Sequence, residues 1–204
     1  MIKHYYHPMS RAVTTDWMLR ELNVEHEQIV VDYMAGQNHA DTFKAINPME
    51  KVPALVDDGI VITEVAAICA YLADKFPQAG MAPPITGSER GRYYRYLFFS
   101  GNTLEPMFTL QNEKLHTPAQ SVGWGDLKRV LSSIEEMTPT EDWVMGDRFG
   151  AADIVFGGTL DFSVQFGWLS QPSPKVADYV RRIKARPAYQ ASHEPSWHQI
   201  PDGK

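Results

Sequence analysis

Residues 47–76, NPMEKVPALVDDGIVITEVAAICAYLADKF, carry more punctuation than any other stretch of the chain, and it falls at places that dictate backbone form. Asn47-Pro48 stops whatever helix precedes it, because proline disfavours helical geometry in the residue before it. Asp58-Gly59 between the apolar runs PALVD and IVI is a hairpin signal, since a two-residue loop needs positive φ at both central residues. Ile68, Leu72 and Phe76 then recur at i+4 and end at Pro77, giving a helix one apolar stripe. Val52-Pro53 is the unusual step. A proline entering a strand cannot donate to the ladder, so the backbone there faces something other than a neighbouring strand. Two readings are open: an ordinary trans proline at an edge, or a cis bond that turns the amide and carbonyl of Val52 outward.

Upstream of this segment the chain alternates. IKHYYH reads as a first strand, and AVTTDWMLREL as a helix with Val13/Trp17 and Met18/Leu22 as i, i+4 pairs. VEHEQIVV reads as a second strand and DTFKAI as a short helix, so residues 1–78 form a βαβαββα unit. Residues 79–88 are rich in Gly, Pro and small polar residues and serve as a linker. Residues 89–204 lack period-2 alternation and read as all-helical, with helices over 89 to about 115, 126–137, 151–166 and 174–185. Ser173-Pro174 caps the last of these. There is no internal repeat and no low-complexity run.

The totals narrow the function. With 44% apolar residues among 204 the chain can bury a substantial core. A net charge of −6 argues against a nucleic-acid partner. The single cysteine, Cys69, excludes an internal disulfide and any dithiol pair, and the seven histidines show no metal-ligand spacing, so no metal is expected. Cys69, among Ala66, Ala67, Ile68 and Ala70, reads as a small buried side chain. No run of apolar residues is long enough for a membrane span, and MIKHYYHPMS lacks the basic start and apolar stretch of a secretory signal, so a cytoplasmic protein is expected.

A βαβαββα unit with NPMEKVPAL before its hairpin and TEVAAICAYL after it, followed by a helical domain, resembles the soluble glutathione transferase family over nearly the whole chain. The resemblance implies a thioredoxin-like first domain that binds glutathione. It makes Pro53 a cis residue, pairs the backbone of Val52 with the cysteinyl part of glutathione, and sets Lys51 near the glycyl carboxylate. Glu64 matches the acidic position that meets the γ-glutamyl ammonium. Val65 stands where the family has a hydroxyl residue, which removes one side-chain hydrogen bond to the ligand. YYHPMSRAV offers two candidates for activating the thiol. Ser10, followed by Arg11, resembles the bacterial serine-type pattern, and Tyr6 sits where tyrosine-type members keep theirs.

In the second half, DWVMGDRFGAADIVFGGTL resembles the family's capping segment before the buried helix of domain two, with Gly150 in place of the hydroxyl residue, Asp153 retained, and Phe149 as an apolar contact. From RYYRYLFFSGN, the residues Tyr93, Tyr94, Phe98 and Asn102 are candidates for the pocket that receives a small hydrophobic electrophile. The function implied is a detoxifying glutathione S-transferase that holds the glutathione thiol as thiolate for attack on an electrophilic carbon in a cleft between domains. Glutathione is then the co-substrate, no cofactor is needed, and a homodimer is implied. The alternatives are a non-catalytic glutathione-binding or protein-interaction module of the same fold, and a glutathione-dependent isomerase or peroxidase.

Overall fold

The computed structural model describes residues 1–194. Its contacts divide into two compact units, Met1–Leu72 with the segment from Arg186, and Ala73–Ala185. No helix among the described residues is long and apolar enough to cross a membrane.

The first unit is built on a four-stranded sheet of order β2-β1-β3-β4, from β1 (Ile2–Tyr6), β2 (His26–Val30), β3 (Ala54–Asp57) and β4 (Ile60–Thr63). β1 and β2 are parallel, joined through α1 (Ala12–Leu22); β1–β3 and β3–β4 are antiparallel. The β3–β4 loop is the two-residue turn that Asp58-Gly59 demands, with φ of 48° and 84°. α2 (Asp41–Lys44) stops short of Asn47-Pro48, and α3 (Val65–Lys75) follows β4 directly.

Helix α1 is buried on more than one face: Thr14, Thr15, Asp16, Trp17, Met18 and Leu19 are all inside. A helix this enclosed needs cover on two sides. The sheet supplies one, and α9 (Pro187–His193) the other, with Tyr189 edge-on to Trp17 at 5.2 Å between ring centroids. Arg186 ties this cover down with two hydrogen bonds to Glu21, at 2.6 and 2.7 Å. The last segment of the expected 89–204 helical domain therefore clusters with the sheet, and residues 195–204 lie outside the described residues.

The second unit contains α4 (Glu89–Phe99), α5 (Glu105–Asn112), α6 (Leu127–Met137), α7 (Ala151–Gln165) and α8 (Pro174–Lys184). The single helix expected from 89 to about 115 is interrupted by a π-helical turn at Ser100–Leu104, which inserts one extra residue into the winding. α7 is central, with Ala151–Gly157 wholly buried. Asp126 and Ser173 cap α6 and α8, accepting from the N–H of Arg129 and Val176 at 2.9 and 3.2 Å.

The start of α7 is fastened by Asp153. Its carboxylate accepts from the N–H of Gly150 (3.1 Å), the N–H of Val144 (2.9 Å) and the Tyr179 hydroxyl (2.8 Å). This is half of a capping box, since Gly150 has no side chain to complete the other half. Glycine stands there because a Cβ would lie 2.6 Å from the Met81 carbonyl oxygen, which accepts the Ala151 N–H. Phe149 packs edge-on against Trp143, with 4.9 Å between ring centroids.

Candidate active site

Strand register gathers the expected glutathione residues. Tyr5 pairs with Ala54, so the next step places Tyr6 opposite Pro53; Ala54 pairs with Thr63, which places Glu64 across from Pro53 on the other side. The C-terminal ends of β1 and β4 and the N-terminal end of β3 thus share one end of the sheet. With strands about 4.8 Å apart, these positions span roughly 10 Å, the width of a small extended peptide. α1 and α3 both begin at this end, so two helix N-termini, with their positive dipole ends, lie where an anion is favoured.

Ser10 lies in the turn from β1 into α1 and is half-buried. Its hydroxyl donates to the His7 carbonyl at 2.7 Å and accepts from the Ala12 N–H at 3.1 Å, which closes the turn. The Tyr33 hydroxyl donates to the Met9 carbonyl at 3.0 Å and holds the same turn from β2's side of the sheet. Tyr6, by contrast, is a strand residue 6% exposed, on the buried face with Ile2 and His4, its ring 5.6 Å from that of His4.

His7 belongs to this turn and escaped the sequence reading. It is fully buried, and its Nδ1 accepts from the Met9 N–H, so Nε2 carries the ring hydrogen. That Nε2–H has no hydrogen-bond partner among the described residues. Burial lowers the His7 pKa, against a smaller opposing pull from Asp32, so the ring is neutral at neutral pH. A histidine preceding a proline at the end of a strand was the only signal available.

The Val52-Pro53 peptide is cis. Neither the N–H nor the C=O of Val52 has a protein partner among the described residues. The loop before it hangs on Asn47, 5% exposed, whose amide donates to the Lys51 carbonyl at 2.7 Å and accepts from the Met49 N–H at 3.0 Å. Sequence reading took Asn47 only as a helix stop; its buried amide is what positions residues 51–53. Lys51 is exposed. Glu64 is exposed with φ of 69°, a left-handed conformation that costs a non-glycine residue roughly 1–2 kcal/mol. Its carbonyl accepts from the Ile68 N–H at 2.9 Å and so opens α3. Val65, first in that helix, brings no side-chain donor.

Cys69 is fully buried, and burial pushes its thiol far above the usual range, so it is no nucleophile. In the second unit, Tyr93 is fully buried beneath the Arg90 guanidinium, 4.8 Å from its ring centroid, and is a core residue. Tyr94 and Phe98 are 38% and 58% exposed, and Asn102 stands exposed on the π turn. A groove of about 310 Å³ in this unit is lined by Phe99, Thr103, Val122, Trp124, Arg129 and Ser133, none of them an expected pocket residue.

Comparison with known proteins identifies the family and the fold. The family models described as glutathione S-transferase, N-terminal domain and C-terminal domain match residues 1–74 and 118–187. Glutathione S-transferase GstA of Escherichia coli O157:H7 is 27% identical, over 93% of this chain and 96% of its own. A crystal structure of a glutathione transferase from Methylococcus capsulatus is 31% identical with a TM-score of 0.76, covering 95% of this chain and 97% of that one. A family member from Pseudomonas fluorescens, solved with two glutathione molecules bound, is 24% identical with a TM-score of 0.79 over 95% and 92%, and shows the same fold. A sheet end framed by two helix N-termini, the unpaired Val52 backbone and Glu64, on a chain matched at this level along nearly its whole length, places the protein in the glutathione S-transferase family.

Proposed function

We propose that the chain is a glutathione transferase of the serine type. It binds glutathione extended along the sheet end, with the cysteinyl backbone on Val52, the glycyl carboxylate near Lys51 and the γ-glutamyl ammonium on Glu64. The observation that carries this reading is Glu64: an exposed acidic residue held at positive φ, beside the N-terminus of α3 and opposite Pro53. Backbone strain of this kind persists where the ligand needs the side chain aimed in one direction.

Ser10 activates the thiol. A free thiol has a pKa of about 8.5, and lowering it by about two units requires roughly 2.7 kcal/mol of preference for the thiolate. The Ser10 hydroxyl, turned from the His7 carbonyl to the sulfur, gives one charge-assisted hydrogen bond, and the first amides of α1 add the helix dipole. The thiolate sulfur then attacks an electrophilic carbon. A C–S bond forms as a leaving group such as halide departs with its electron pair, or as a conjugated alkene takes the electrons and later a solvent proton. Tyr94, Phe98 and Asn102 are the candidates for contact with the electrophile. The homodimer and the cytoplasmic setting are further parts of the reading, resting on the family.

Val65 favours a second reading, a binding module without turnover, because it withholds a hydrogen bond worth roughly 1.5–3 kcal/mol to a charged partner. The unpaired N–H groups opening α3 compensate in part, which keeps the transferase reading ahead. Purified protein with glutathione and a panel of aryl halides and activated alkenes should form thioethers faster than buffer. Glutathione uptake in calorimetry with no rate above buffer for any acceptor would select the binding module instead.

A further inference from the structure

Away from the glutathione end, His4 on β1, Asp16 on α1 and His26 on β2 each present a ligand atom within 4.8 Å of the others. The positions have no motif spacing; the fold brings them together. Ile2 pairs with His26 and His4 with Gln28, so His4 and His26 are diagonal neighbours on one face of the sheet, and α1 lays Asp16 against that face.

The hydrogen bonds around the two histidines leave each with one bare nitrogen. The Thr15 hydroxyl gives its hydrogen to the Ala12 carbonyl at 2.9 Å, so its 2.8 Å bond with His4 must be donated by the ring, from Nε2. His4 Nδ1 is then an unprotonated lone pair, in a fully buried residue, with no hydrogen-bond partner among the described residues. His26 Nδ1 lies 2.9 Å from the Val24 carbonyl, which can only accept, so His26 Nε2 is bare as well. Asp16 is 2% exposed and accepts one bond on each oxygen, from Gln28 at 3.1 Å and Arg20 at 2.7 Å, leaving a lone pair on each.

We propose that His4, His26 and Asp16 form a binding site for a borderline divalent transition ion such as zinc or cobalt. Two imidazoles and one carboxylate suit such ions better than magnesium or calcium, which take oxygen donors. Each histidine already has its other ring nitrogen fixed by a hydroxyl or a backbone carbonyl, the arrangement that orients metal-ligating imidazoles. Donors about 2.0–2.2 Å from an ion stand roughly 3–3.5 Å apart, so ligand atoms lying within 4.8 Å of one another must draw closer to share one. Half-buried His26 can supply part of this by a small tilt that keeps its bond to the Val24 carbonyl, and its exposed side is the route of entry and the place for water ligands. The ion would join α1 to β1 and β2 and raise the stability of the first unit.

The test is titration of tag-free, chelator-treated full-length protein with Co²⁺ in the absence of glutathione, read by visible d–d absorption. Thermal unfolding with and without Zn²⁺ is measured in parallel. The expected result is one equivalent of Co²⁺ bound at micromolar concentration, a rise in Tm with Zn²⁺, and at least tenfold weaker binding in both His26→Ala and His26→Gln. His39→Ala, which removes an exposed histidine elsewhere, should bind as the parent does. Absence of saturable binding up to millimolar Co²⁺, or binding unchanged in both folded His26 variants, would overturn the assignment. Glutathione conjugation is not measured in this experiment, so its outcome is separate from that of the transferase reading.

Discussion

At the scale of single residues, the turn at Ser10 and the strained Glu64 do different work and separate by mutation. On the proposed reading Ser10→Ala removes a hydrogen bond to the thiolate worth about 1.5–3 kcal/mol, so the pKa of bound glutathione should rise by about 1–2 units. Thiolate ultraviolet absorbance against pH measures it, and an unmoved titration would transfer the role to Tyr6 or to the backbone. Glu64→Gln keeps the shape and removes the charge; calorimetry should show glutathione binding weakened by roughly 10- to 100-fold. Glu64→Gly should bind as poorly while unfolding in urea within about 1 kcal/mol of the parent, because glycine adopts positive φ without penalty. Equal loss of stability and of binding in Glu64→Gly would show that the carboxylate holds the fold and not the ligand.

At the scale of elements, the sequence was legible wherever local chemistry decides the outcome. Helix α1 spans the segment AVTTDWMLREL, and Asp58-Gly59 makes the hairpin its φ requirements predict. Cys69 is buried as its apolar neighbours imply. The π turn at Ser100–Leu104 was not legible, because one extra residue in a helix leaves the apolar pattern on either side intact. α9 was missed since it is short and its partners, Trp17 and Glu21, are far away in the chain. The carboxylate of Asp153 was legible as a cap, but the reason for Gly150 was not, since Met81 closes over it from a distant segment. There two effects compete in Gly150→Ser: a new cap hydroxyl offers about 1 kcal/mol, and a Cβ at 2.6 Å from a backbone oxygen costs about 1–3 kcal/mol. Since backbone cannot rotate away, the clash should win, lowering the urea midpoint; a raised midpoint would mean that the Met81 segment yields.

At the scale of the whole molecule, the chain passes from the first unit to the second and returns to the first at Arg186. The Arg186–Glu21 pair is the clasp, with the Glu21 side chain 10% exposed and also accepting from the Trp17 indole at 2.8 Å. Arg186→Ala strands a largely buried carboxylate and should cost about 2–3 kcal/mol, less than for a fully enclosed pair because the arginine is 27% exposed. Denaturant unfolding followed by Trp17 fluorescence would register it, and a loss below about 0.5 kcal/mol would mean that α9 is held by its apolar contacts alone. The return of the chain also sets an order on biosynthesis. While the ribosome is still extending the polypeptide, the sheet is already made but the outer flank of α1, with Trp17, has no cover until translation passes His193. The helical body can thus mature first, and the sheet unit, begun before it, is sealed after it.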